Sequence, residues 1–218
     1  MDPIDSGYEP LGIGEGERDG IVYVPSSAGP GAPLMLLFHG FGGTGSREIV
    51  AVRDQADRHG VVVVAPDSRG QSWDIIVKGR FGADVEFVDQ LMAVVPQRYD
   101  IDPTRFAVSG ISDGASYALC VGPRNDCTTI AFSPGFAFPG EGEARPRIFM
   151  SHGTRDPILP FESTQRIAGN FTRLGYPLHF HVFDGGHTVP PEVADAAFDW
   201  WIGAANDPEG GAGYPGAE

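Results

Sequence analysis

The run Val61-Val62-Val63-Val64-Ala65 contains no polar residue. Side chains of a strand point alternately to its two faces, so this strand is apolar on both. It needs cover on both sides, as in a parallel sheet with helices on either face. "GIVYV" (20–24), "LMLLF" (34–38), "FAVS" (106–109), "TIAF" (129–132), "RIFM" (147–150) and "LHFHVF" (178–183) also read as strands, with "YEPLGIG" near the start as one more. They are short, rich in β-branched and aromatic residues, and bounded by Gly, Pro or Asp.

Amphipathic segments alternate with these runs. Helices are expected over 46–59, 83–98, 113–121, 162–174 and 191–203. The first ends at Gly60, a C-terminal cap, and the last begins with Pro191, a residue suited to a first turn. Strand–helix alternation gives an α/β class with a mostly parallel sheet. No helix separates the first two or three strands, so the leading edge is expected to be antiparallel. The 218-residue length fits one domain over 1–205, and the Gly/Pro/acid-rich 206–218 reads as a disordered tail. Between "TIAFS" and "RIFM" the chain is too short and proline-rich for a cap domain.

A net charge of −14 makes nucleic acid and anionic membrane surfaces poor partners. No apolar run approaches the ~20 residues of a membrane span, and the N-terminus does not read as a signal peptide. The expected setting is cytoplasmic, as a monomer or dimer. Cys120 and Cys127 are too few for a disulfide framework and read as free thiols.

"FAVSGISDGASYALC" contains Gly110-Ile111-Ser112-Asp113-Gly114, a G-x-S-x-G pattern. With 31 glycines in the chain the pattern alone decides little, so its context must. Ser112 falls between a strand and a helix. A sharp strand-to-helix turn projects its hydroxyl from a strained backbone, and flanking glycines let the two elements approach. A helix-capping serine needs no such glycines.

A serine nucleophile requires a base and an orienting acid. His59 closes a helix and is expected to be solvated. His39 and His152 each precede a glycine at a strand end and read as structural histidines. His179 and His181 share one strand face. His187, in the loop "DGGHTVPPE" after the last strand, is the candidate base. Open α/β sheets place their chemistry at the C-terminal ends of strands. Asp156 in "SHGTRDPILP" is the candidate acid, preferred to Asp184. The order Ser112, Asp156, His187 is one of the known triad orders. The glycine-rich "LLFHGFGGTG" supplies an oxyanion site through the backbone N–H of Phe41, with that of Asp113 as second donor. It lacks the Lys-Ser/Thr ending of a phosphate loop.

Together "FHGFGG", "ADRHGVVVVAPD", "RFAVSGISDGAS", "SHGTRDPILP" and "FDGGH" span Phe38 to His187. The chain resembles a small α/β-hydrolase of the carboxylesterase/phospholipase type, near dienelactone hydrolases and feruloyl-esterase or polyhydroxybutyrate-depolymerase-like esterases. The resemblance implies an eight-stranded, mostly parallel sheet and acyl-serine chemistry by Ser112, Asp156 and His187 on a small-molecule ester. Dienelactone hydrolases carry cysteine where this chain has Ser112, so a general ester is expected rather than a dienelactone.

Phe41, Trp73, Phe136, Phe138, Ile158 and Val189 read equally as pocket walls or as packing. Uncapped aromatic walls suit a small or aryl ester. No cofactor or metal is expected. Thioesterase or lysophospholipase activity is the alternative within the same chemistry, and a catalytically silent binding protein the alternative outside it. A metallohydrolase built on His179, His181, Asp184 and His187 lacks a matching ligand spacing.

Overall fold

The computed structural model describes residues 7–14, 18–140 and 142–203, so the expected tail at 206–218 lies outside the described residues. Eight strands form one sheet: β1 (Gly7–Pro10), β2 (Gly20–Val24), β3 (Ala32–Phe38), β4 (Val62–Pro66), β5 (Ile101–Ile111), β6 (Thr128–Phe132), β7 (Ile148–Gly153) and β8 (Leu178–Phe183). Their order is β1-β2-β4-β3-β5-β6-β7-β8. β2 pairs antiparallel with both β1 and β4, which makes the leading edge antiparallel as expected. Every other pairing is parallel.

The apolar run of β4 divides as its pleat requires. Val62 and Val64 join Leu34, Leu36 and Phe38 in a core beneath α4 (Ala83–Arg98) and α5 (Asp113–Val121). Val63 and Ala65 join Met35 and Leu37 in a core on the opposite face, beneath α2 (Arg53–His59) and α7 (Pro191–Gly203). A third cluster packs α6 (Phe161–Arg173) against Met150 of β7 and Phe180 of β8. Fully burying each of these side chains is worth about 1.5–3 kcal/mol.

The expected helix over 46–59 is broken. α1 (Gly45–Glu48) runs into a 3-10 turn at Ile49–Ala51, and Val52 leaves helical geometry before α2 begins. The tighter turn aligns residues three apart, and both Ile49 and Val52 are fully buried. Gly60 then caps α2 in the left-handed conformation, as expected. α3 (Asp74–Lys78) is a short helix not anticipated from sequence. Among the described residues no helix is long and apolar enough to cross a membrane.

Candidate active site

Ser112 is the junction of β5 and α5. Its φ of 58° and ψ of −118° are a strained combination for a residue with a Cβ. The strain is held from both sides. The Ser112 amide donates to the Phe132 carbonyl of β6 at 2.9 Å, and the Ser116 amide donates back to the Ser112 carbonyl at 3.0 Å. The flanking glycines have steric causes. A Cβ on Gly110 would overlap the backbone of Gly114, and one on Gly114 would overlap the Phe38 carbonyl. Strand and helix therefore meet at a separation that no side chain permits.

β7 and β8 bring Asp156 and His187 together. The Thr154 amide donates to the Phe183 carbonyl and the Arg155 amide to the Gly185 carbonyl, both at 2.9 Å. These bonds sew the two loops into one layer. His187 Nδ1 lies 2.6 Å from Asp156 Oδ2. The Asp156 carboxyl is fully buried, and 13% of the His187 side chain is exposed. Asp156 Oδ1 accepts the amides of Ile158 at 2.8 Å and Leu159 at 2.9 Å. Burial pushes the Asp156 carboxyl up. The Leu159 amide, the His187 ring and the Ile158 amide outweigh burial and hold it below the ordinary carboxylate range.

Ser112 reaches the same C-terminal edge of the sheet from β5, two strands away from β7. No hydrogen bond joins its hydroxyl to His187 in this structure. Asp184, the rival acid, is 80% exposed and paired with Arg155 at 2.7 Å.

Several hydrogen bonds fix the loop after β3. His39 Nδ1 donates to the Gly40 carbonyl at 2.7 Å, and Nε2 accepts the Ser68 amide at 2.9 Å. Burial lowers the His39 ring below its ordinary range, in keeping with this neutral tautomer. The Gly42 amide donates to the Gln71 carbonyl at 2.7 Å. The Gly40 amide donates to Glu48 Oε2 at 3.2 Å. Glu48 is half-buried, and burial lifts its carboxyl to about 7. Sequence reasoning missed Glu48, since one acid in an amphipathic segment carries no distinguishing signal. Among the described residues the amides of Phe41 and Asp113 have no acceptor. The Asp113 carboxylate takes the Ser72 hydroxyl instead.

Of the six expected wall residues, Phe41 is 67% exposed, Ile158 65% and Phe138 57%. Phe136 and Val189 are half-buried, the former 5.9 Å from the Phe138 ring. Trp73 takes the packing alternative. It is 1% exposed, stacked on Tyr117 at 4.6 Å, and its Nε1 donates to the His39 carbonyl at 2.9 Å. It is a core residue beneath the loop after β3.

The remaining histidines also separate. His59 is not solvated as expected: its ring lies against Phe198, with Nε2 3.3 Å from Asp199. His179 and His181 share a face as expected, both ranged against the Phe149 ring. His187 is drawn away from them to Asp156, so the four-residue metal cluster is not assembled. Among the described residues no group of three His, Cys, Asp or Glu side chains is arranged to hold a metal ion. Cys120 and Cys127 are free.

No protein-family model matches the chain. It is 30% identical to a bifunctional acetylxylan esterase/xylanase of Neocallimastix patriciarum over 71% of its length, and spans 24% of that protein. It is 26% identical to a probable feruloyl esterase C of Aspergillus oryzae, covering 80% of this chain and 78% of the relative. Among solved structures, esterase PE8 superposes with a TM-score of 0.70 at 23% identity, over 86% of this chain and 99% of that one. A Bacillus cereus carboxylesterase gives a TM-score of 0.64 at 18% identity, over 79% and 89% of the two chains.

Proposed function

Starting from its α/β-hydrolase fold, we propose that this chain is a carboxylic-ester hydrolase working through an acyl-serine intermediate. The observation that carries this reading is the strained Ser112 at the strand-to-helix turn, with the Asp156–His187 pair on the same sheet edge. His187 Nε2 takes the Ser112 proton as Oγ attacks the ester carbonyl. Asp156 holds Nδ1–H, which fixes the tautomer and stabilises the imidazolium that forms. The unused amides of Phe41 and Asp113 receive the oxyanion, where each donor is worth about 3 kcal/mol. His187 returns the proton to the leaving alcohol. Water, deprotonated by His187, then releases the acid.

The exposed rings of Phe41 and Phe138 and the exposed Ile158 favour an aryl or other small apolar ester. The names of the curated relatives point the same way, to feruloyl and acetyl esters. The test is turnover of feruloyl, acetyl and activated aryl esters beside matched thioesters, with Ser112→Ala as control. Ser112→Ala should lower kcat by about 10⁴-fold or more on the ester turned over best. Wild-type kcat in that variant would remove the acyl-serine reading.

A further inference from the structure

His152 ends β7 fully buried, and Asp156 Oδ2 lies 3.2 Å from its Nε2. The carboxylate oxygen that holds His187 thus faces a second histidine. Nε2 also lies 3.0 Å from the Leu159 carbonyl. Both of its neighbours only accept, so Nε2 carries a proton. On the other side of the ring, Nδ1 is 2.8 Å from Thr164 Oγ1. The same hydroxyl lies 2.7 Å from the Pro134 carbonyl, which again only accepts. Thr164 has one proton to give. If Nδ1 were bare it would take that proton, leaving two buried oxygens 2.7 Å apart with none between them. If Nδ1 carries a proton, every partner is satisfied: Nδ1–H donates to Thr164, and Thr164 donates to Pro134.

We propose that His152 is an imidazolium, and that it serves as a positioning residue for the ester-hydrolysing centre by sharing Asp156 with His187. The proposal rests on the acyl-serine reading for its catalytic consequence, while the charge on His152 follows from the donor count alone. The charged or titratable groups recorded against His152 are Asp156 and, across that carboxylate, His187. Its other neighbours are uncharged: Leu159, Thr164 and the Phe161 ring. The pair His152⁺–Asp156⁻ is neutral, which offsets part of the cost of burying the carboxylate. When His187 becomes charged opposite the oxyanion, the four groups still sum to zero. The fixed cation lies across the shared carboxylate from His187, so its charge is felt by the base.

Two measurements test this. In nitrogen-15 NMR of the wild-type chain, both ring nitrogens of His152 should resonate in the protonated range at pH 7. One bare nitrogen there would overturn the proposal, and this readout needs neither activity nor a variant. In His152→Gln, which keeps a donor without the charge, the acid limb of kcat/KM on an activated aryl ester should move up by about 0.5–1 pH unit. A lowered kcat with an unmoved limb would reduce His152 to a packing residue. Failure of Ser112→Ala to lose turnover would remove the acyl-serine reading and leave the NMR result standing.

Discussion

Gly114 of α5 lies directly on the carbonyl of Phe38 at the end of β3, with no room between them for a methyl group. The helix that begins after Ser112 is therefore seated on β3. Gly114→Ala must push α5 away from β3. The expected cost is at least about 3 kcal/mol, read as a lowered midpoint in urea. A similar cost is expected for Gly110→Ala, whose Cβ meets Gly114 itself.

Ser112 stores strain that its own side chain creates. At φ 58° and ψ −118° a glycine is at ease and a serine is not. Ser112→Gly should raise stability by about 1–2 kcal/mol while abolishing ester turnover. Thermal unfolding and aryl-ester kinetics on the same preparation check both halves. An unchanged or lowered Tm would show that the surrounding hydrogen bonds, rather than glycine's freedom, set the energy there.

Glu48 should make stability depend on pH near neutrality. Its carboxyl is raised to about 7, chiefly by burial. Raised acids favour the folded state while protonated. Their contribution is full below the unfolded value of roughly 4.3 and is lost as pH rises through 7. Glu48→Gln does not titrate. Relative to wild type it should gain stability steadily between pH 5 and 7, by up to about 3 kcal/mol, and no further above. Denaturant titrations at pH 5, 6, 7 and 8 give the profile.

Phe41 and Trp73 lie on either side of the same loop and should behave oppositely. Phe41→Ala removes an exposed ring, so stability should stay within about 0.5 kcal/mol while KM for aryl esters rises about fivefold. Trp73→Ala opens a cavity beside Tyr117 and Phe38 and frees the His39 carbonyl, at a cost of about 3–5 kcal/mol. Paired denaturation and Michaelis measurements separate the two roles.

Much of this architecture could be read from the chain because single residues carried the signal. β2 and β8 have the bounds that their apolar runs gave, and α4, α5 and α7 those of their periodicity and caps. β5 is longer than its apolar part. It begins at Ile101 and contains Pro103, which argues against a strand; a register shift between Ala32 and Leu34 of β3 accommodates the extension. α3 is five residues long, too short for a helical period to register. It is fixed instead by long-range exchange: the Asp74 amide donates to Asp84, and the Asp84 amide to Asp74. At the site, the glycine spacing and the loop after β8 pointed to Ser112 and His187. Burial could not be read the same way. Trp73, which follows a strand, read equally as wall or packing, and His152 gave no hint that its partner would be Asp156.

The strand-to-helix turn at Ser112 is wedged between β3, which Gly114 touches, and β6, whose Phe132 carbonyl holds the Ser112 amide. β3 precedes the turn in the chain and β6 follows it, so neither half of the protein can impose that backbone geometry unaided. The strained backbone at Ser112 therefore depends on both neighbouring strands being in place. On the acyl-serine reading, that geometry exists only once the sheet is complete, so appearance of turnover should mark the end of folding.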